Sequence, residues 1–327
     1  MSGPLTVLAI VNPAAGGNPR AIVRTLAEAS TVTVRMTRPA AAATVAVVVE
    51  QVLADWPDVV VAVGGDGTAG QVAAALAALD ELVGQAPALL IAPGGTGNSS
   101  YRGLWGQRDW AEVVRTALVP RPAWRAIDLA RLEEFDAPVL LGAAAGLLPA
   151  TLLAAAELPG SGRDLLLRAT VAAAAAYDPF PARVIVDDQV LVEDRIVVAN
   201  IGGMRHRGGD FRLLPHSVLD DGRLDVCVAT AAVDLPELFR AAFTGAVDEL
   251  PGVHYGRGGR IRLQRTDGEP LLVEHDGELM PRTHTGYGLH VLPRALHVLI
   301  PDPPPDALPP RPRNEVTDEG LARYGLR

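Results

Sequence analysis

Lysine is absent from the 327-residue sequence: all 29 of its basic side chains are arginine. That absence removes several chemistries at once. A Walker-type loop places a lysine on the β- and γ-phosphates of a nucleotide, a protein kinase uses one on its third strand, and Schiff-base enzymes use one as the nucleophile. Against 38 acidic residues the formal charge is −9, so the field of the whole chain repels polyanions and no nucleic-acid partner is expected. Cysteine is nearly absent too. The single Cys227 leaves no internal disulfide framework and no cysteine-based zinc cluster. Its flanks, Leu224 to Val228, alternate as a strand would, and the thiol is expected to be buried and structural rather than nucleophilic.

Long apolar runs are also scarce. Val139 to Ala156 carries no charge, but Gly142, Gly146 and Pro149 interrupt it, and alanine and glycine replace the leucine and phenylalanine of a membrane span. It reads as a buried strand through Ala145 and a helix from Leu148 to about Glu157. The opening apolar run, Leu5 to Val11, has no basic stretch before it and ends at Asn12-Pro13, which suits a first strand rather than a signal peptide. A cytoplasmic location is expected, with any membrane contact peripheral at the inner face.

What remains is a globular composition: 49% apolar, 20% charged, 33 glycines and 27 prolines, at a length that suggests about two domains. The first third alternates β-rich runs (Leu5 to Val11, Thr31 to Met36, Val59 to Val63, Leu89 to Ala92) with alanine-rich helical stretches (Arg20 to Ala29, Ala40 to Leu53, Thr68 to Leu82, Asp109 to Leu118). This order predicts a parallel sheet covered by helices, with ligands at the carboxyl ends of the strands. After Pro120 to Pro122, charged and apolar residues alternate with period two, and turn pairs such as Asp187-Asp188, Asp221-Gly222 and Asp276-Gly277 recur. An antiparallel β domain with a few inserted helices is expected over Trp124 to Leu292. The expected divisions are residues 1–123, 124–300 and a proline-rich tail over 301–327.

Three glycine-rich loops each follow a predicted parallel strand: Asn12-Pro13-Ala14-Ala15-Gly16-Gly17, Gly64-Gly65-Asp66-Gly67-Thr68 and Pro93-Gly94-Gly95-Thr96-Gly97-Asn98. Backbone N–H groups and helix N-termini from all three converge on one crevice, which is a phosphate site that needs no lysine. Asp66 either caps the next helix or holds a metal–nucleotide complex. Thr68 and Thr96 offer hydroxyls to phosphate, although Thr68 also suits a plain N-cap.

In order and spacing these loops, with a late Asp276-Gly277-Glu278, resemble the diacylglycerol kinase catalytic family, which includes bacterial lipid kinases and sphingosine and ceramide kinases. The resemblance covers about residues 5 to 300. It implies a Rossmann-like parallel α/β domain, a C-terminal antiparallel β-sandwich that accepts a lipid, and a nucleotide cleft between them. The activity implied is ATP-dependent phosphorylation of a lipid hydroxyl, as in diacylglycerol or a sphingoid base, with Mg²⁺ as cofactor. The alternatives are an NAD kinase-like phosphotransferase and a non-catalytic lipid- or nucleotide-binding relative. A homodimer is left open.

By the same resemblance, ATP contacts Asn12, Pro13, Ala14, Ala15, Gly16, Thr37, Gly65, Asp66, Gly67, Thr68, Ala69, Gly70, Gln71 and Thr96. Glu278 corresponds to the proton acceptor, Asp276 to its acidic partner near the nucleotide, and Asp66 to the residue near the metal. A metal-binding turn would use Asp221 and the backbone carbonyls of Val218 and Arg223. Thr37 also reads as the start of a helix, and Asp276-Gly277-Glu278 as an ordinary hairpin turn. Two departures remove a carboxylate each: Ala69-Gly70-Gln71 stands where the family commonly has a residue and then Asn-Glu, and Asn98-Ser99 where it commonly has Asn-Asp. His275 either tunes the presumed base or contacts phosphate, or is merely exposed. The arginines at Arg205 and Arg207, and from Arg257 to Arg265, are read as a lipid-headgroup contact or a solvated face.

Overall fold

The computed structural model describes residues 5–29, 31–36, 41–84, 86–160 and 162–301. Thr37 and the tail from residue 302 onward lie outside the described residues. The first part of the chain runs β1 (Thr6–Val11), α1 (Pro19–Ala29), β2 (Thr31–Met36), α2 (Ala41–Asp55), β3 (Val59–Gly64), α3 (Asp66–Val83), β4 (Ala88–Pro93), α4 (Ser99–Trp105) and α5 (Trp110–Ala117). It continues through β5 (Trp124–Leu132), β6 (Ala137–Val139), β7 (Gly142–Gly146), α6 (Leu147–Glu157), α7 (Gly162–Ala176), β8 (Phe180–Val186), β9 (Gln189–Gly202), β10 (His206–Arg207) and β11 (Phe211–Arg212). Last come β12 (Leu224–Thr230), α8 (Leu235–Thr244), β13 (Val253–Gly258), β14 (Arg260–Arg265), β15 (Val273–His275), β16 (Glu278–Leu279) and β17 (Gly286–Leu299).

The four N-terminal strands lie in the order β2-β1-β3-β4, all parallel. All six residues of β3 are buried, which requires cover on both faces and explains the unbroken Val-Val-Val-Ala-Val run. The helix α3 ends at Gly84, whose left-handed backbone returns an N–H to the Asp80 carbonyl. The uncharged stretch after Val139 forms a strand, β7, and a helix, α6, as the glycines predict. Among the described residues no helix is long and apolar enough to cross a membrane.

The second part is antiparallel and sandwich-like, and a single strand joins it to the first. The N-terminal part of β17 pairs with β14, the strand pairs with β5 from Leu289 to Leu292 and again from Leu296 to Leu299, and near its end Val298 lies beside Leu89 of β4 in a parallel sense. The result is one mixed sheet whose path runs β16-β15-β7-β9-β8-β14-β17-β4-β3-β1-β2. Register shifts in β17 between Leu292 and Leu296, where Arg294 has φ +52° and gives its N–H to Asp128. After this irregularity, Leu296, Val298, Leu299 and Ile300 enter the core of the N-terminal layer, while Tyr287 and Leu289 before it belong to the sandwich core. The two parts thus share a strand.

Cys227 lies buried in β12, and burial pushes its thiol pKa up to about 12, so it is a core residue and not a nucleophile. Because Leu296 fills the N-terminal core from the end of the chain, Leu296→Ala is expected to cost about 2–5 kcal/mol. Urea unfolding monitored by circular dichroism would show this as a lower midpoint, and an unchanged midpoint would contradict the role given to β17.

Candidate active site

The three glycine loops meet main chain to main chain. The Gly17 N–H donates to the Gly94 carbonyl at 2.9 Å, and a Cβ built on Gly95 would stand 2.3 Å from Gly65 Cα, an approach only glycine permits. Asn12 ties the first loop to the second: its amide Nδ2 donates to Thr68 Oγ1 (3.3 Å), and its Oδ1 accepts the Ala14 N–H (3.0 Å). In the third loop, Asn98 locks the turn by accepting the Gly95 N–H (2.7 Å) and donating to the Gly95 carbonyl (2.9 Å).

These contacts enclose a cleft of about 250 Å³ lined by Asn12, Ala15, Gly16, Gly65, Gly67, Thr68, Gln71, Gly95, Thr96 and Glu278. Eight of the fourteen expected nucleotide contacts are on its wall. Gly95 joins them, belonging to the third loop but not to the residues expected to touch ATP. Pro13 and Ala14 are exposed on the first loop. Ala69 faces the N-terminal core instead of the cleft.

Asp66 answers the alternative left open in the sequence in an unexpected way. It caps a helix, but not its own. Its Oδ2 accepts the Ser99 N–H (3.0 Å), and its Oδ1 accepts both the N–H and the hydroxyl of Ser100 (2.9 Å each), so it neutralises the N-terminus of α4 across the loop contact. The N-terminus of α3, begun by Gly65, has no side-chain cap. That helix end therefore opens onto the cleft with free N–H groups, the arrangement that binds phosphate.

Asp276 stands behind the cleft wall. It is buried and does not line the cleft, its carboxylate instead accepting the N–H groups of Leu140 (2.9 Å) and Leu141 (2.7 Å). It presses against α3 where a Cβ on Gly70 would stand 2.7 Å from its Oδ2. The departure at Gly70 thus makes room for the acid. The hairpin reading of Asp276-Gly277-Glu278 also holds: Asp276 and Gly277 have φ of +48° and +88° between the paired His275 and Glu278, the backbone of a tight two-residue turn. This turn delivers Glu278 to the cleft, where Gln71 Nε2 donates to its Oε1 at 2.7 Å. A glutamate at position 71 would set two carboxylates against each other, so the departure at Gln71 turns a repulsion into a hydrogen bond.

Behind that turn sits a fully buried ion pair. Arg207 of β10 binds Glu274 of β15, and the second oxygen of Glu274 accepts the Gly277 N–H at 3.0 Å. The β10–β11 hairpin reaches the third loop as well, through the Gly209 N–H on Ser99 Oγ (2.9 Å) and Arg102 on Asp210 (2.8 Å). Neither arginine reading from the sequence survives for Arg207, which is neither a headgroup contact nor on a solvated face. Arg260 and Arg262 are paired to Glu133, and Arg265 to Asp267. The turn bearing Val218, Asp221 and Arg223 does not line the cleft.

A model of the diacylglycerol kinase catalytic domain matches residues 6–132, and a model of the YegS C-terminal NAD kinase beta sandwich-like domain matches residues 163–300. Residues 6–132 are thus recognised as a diacylglycerol kinase catalytic domain. It is 28% identical over 264 residues to a protein of Pectobacterium atrosepticum named probable lipid kinase YegS-like, covering 77% of this chain and 81% of that protein. A protein of the same name from Xanthomonas oryzae is 27% identical over 274 residues, covering 78% and 82%. A crystal structure of a diacylglycerol kinase from Bacillus anthracis has the same fold, with a TM-score of 0.66 at 21% identity over 91% of this chain and 97% of that one.

His275 is not merely exposed. Its Nδ1 lies 3.8 Å from Asp276 Oδ2, an ion-pair distance rather than a hydrogen bond. Burial alone would lower its pKa, yet the carboxylates of Asp276, Glu278 and Glu274 hold it above the ordinary imidazole value. Burial would raise Asp276, but His275, the Leu140 N–H and Arg207 hold it below the usual carboxylate range. A raised His275 contributes stability that is complete below its unfolded pKa, about 6.5, and is lost as pH rises through the folded value. The depressed Asp276 contributes above its unfolded value, about 3.9, and loses that as pH falls through the folded one. The Tm difference between the wild type and His275→Gln is therefore expected to be full near pH 5 to 6, by these approximate values, and to shrink on the alkaline side. A difference independent of pH would contradict the pairing.

Proposed function

We propose that the chain is an ATP-dependent lipid kinase, moving the γ-phosphoryl group of ATP onto the hydroxyl of a lipid such as diacylglycerol or a sphingoid base. The observation that carries this reading is the meeting of three backbone loops and Glu278 in one cleft. The names of the relatives support a lipid acceptor. In this reading residues 1–123 hold the nucleotide and residues 124–300 the lipid, and contact with a membrane surface is peripheral.

The phosphates rest on the uncapped N-terminus of α3 and on the hydroxyls of Thr68 and Thr96. No lysine takes part. Gln71 orients Glu278 by holding its Oε1. The Glu278 carboxylate then takes the proton of the acceptor hydroxyl as that oxygen bonds to the γ-phosphorus and the bond from phosphorus to the β–γ bridging oxygen breaks, releasing ADP. Asp66 stands beside the cleft, and its Oδ2, which accepts only one N–H, keeps a lone pair that a divalent metal could use. Such a metal, held by Asp66 and the phosphates, would offset the charge on the transferring group. With Asp276 turned away and Asp66 already bonded, Glu278 is the carboxylate that meets the phosphates.

Transfer of labelled γ-phosphate to diacylglycerol, sphingoid base, ceramide and NAD tests the reading. A lipid product is expected, and Glu278→Gln should lower kcat by about 10²- to 10⁴-fold while ATP binding is retained. Phosphorylation of NAD alone, or tight ATP and lipid binding without turnover, would contradict it.

A further inference from the structure

The family resemblance implies a divalent cation in the turn before β12, on Asp221 and the carbonyls of Val218 and Arg223. The donor set found there does not suit one. Asp221 Oδ2 lies 2.5 Å from a terminal nitrogen of Arg257, and its Oδ1 accepts the Arg223 N–H at 3.1 Å. The same guanidinium approaches Asp225 Oδ1 at 3.1 Å through Nε, and Tyr255 donates its hydroxyl to that oxygen at 2.7 Å. A cation already meets the carboxylate expected to bind the metal, and it belongs to the chain.

Its delivery is a matter of register. Asp225 of β12 stands directly opposite Arg257 of β13, so their side chains share a face, and Asp221 is brought alongside by the turn at Gly222. The remaining acids of the turn are also matched from within. Asp220 receives two parallel bonds from Arg125 at 2.9 and 3.0 Å, and Asp128 of β5 accepts the N–H groups of Gly222 (2.7 Å) and Arg294 (2.8 Å). The latter bond fixes the irregularity in β17 through which the strand passes from one core to the other. Asp225 is fully buried, where a lone carboxylate would be strongly disfavoured. A planar guanidinium lying between the two carboxylates offsets part of that cost without dehydrating a metal ion.

We propose that Arg257 takes the place of a divalent cation in this turn, so that the second domain closes residues 215–225 with an internal charge and is built without a metal. Neither the kinase reading nor any activity enters this inference.

The test uses the full-length protein, stripped with EDTA and free of nucleotide. Its Tm is expected to stay unchanged on titration with millimolar Mg²⁺ or Ca²⁺, because a ligand bound only by the native state would raise it. Arg257→Gln is expected to lower the Tm by several degrees and to gain a Mg²⁺-dependent rise that is absent when Asp221→Asn is added. Mn²⁺ uptake followed by electron paramagnetic resonance gives a second readout, with the wild type and Asp221→Asn expected to bind equally. A saturable Mg²⁺-dependent rise in wild-type Tm that Asp221→Asn abolishes would overturn the proposal, as would an Arg257→Gln protein of wild-type Tm. If Arg257→Gln fails to fold, the wild-type and Asp221→Asn measurements still decide.

Discussion

The structure depends on main chain touching main chain between the second and third glycine loops. With Gly65 and Gly95 in contact and Gly17 bonded to Gly94, two helix N-termini are brought within reach of one another, and one carboxylate can serve both sides. Asp66 opens α3 but spends its charge on α4. Were the loops farther apart, Asp66 would lose the N–H groups of Ser99 and Ser100 as partners. In the proposed kinase, oriented N–H groups would take the place of the missing lysine and hold phosphate without a flexible side chain or its ordering cost.

A second chain of contacts carries the geometry across the cleft. From Asp66 it passes to Ser99, from the Ser99 hydroxyl to Gly209 on the β10–β11 hairpin, along that hairpin to Arg207, and through Glu274 to the Gly277 N–H beneath Glu278. A charged pair so deeply buried is costly to break, since either partner alone would be a stranded charge. It sets the turn that bears Glu278 against the loops, while Asp276 anchors the same turn to the start of β7. Shared strand β17 supplies the rigid frame on which both ends of this chain rest.

Much of this was legible in the sequence because it is local. Strand, loop and helix follow each other within a few residues, so the apolar runs and glycine clusters locate the parallel sheet and its crest. The late hairpin could be read from Asp276-Gly277 in the same way. The partners of the charged residues could not. Asp66 meets Ser100 at a separation of 34 residues, Arg207 meets Glu274 at 67, and Gln71 meets Glu278 at 207. Such pairings are set by topology and register, which short-range patterns do not carry. The departures at Gln71 and Ser99 read in the sequence as lost acids and that at Gly70 as a lost amide, yet each has a defined contact: a donor to Glu278, an acceptor for Gly209, and room for Asp276. Equally, the acidic turn at Asp221 resembles a metal site until the register of β12 and β13 sets Arg257 opposite Asp225.

In the proposed kinase, phosphate is held by backbone and hydroxyl groups at the loop contact, with Glu278 at its far wall. A crystal structure of the protein with Mg²⁺ and a non-hydrolysable ATP analogue tests it most directly. The account predicts the triphosphate along Gly16, the N–H groups of Asp66 and Gly67, and Thr96, with the terminal phosphate turned toward Glu278. A triphosphate bound elsewhere, or one held mainly by arginine side chains away from the three loops, would contradict it.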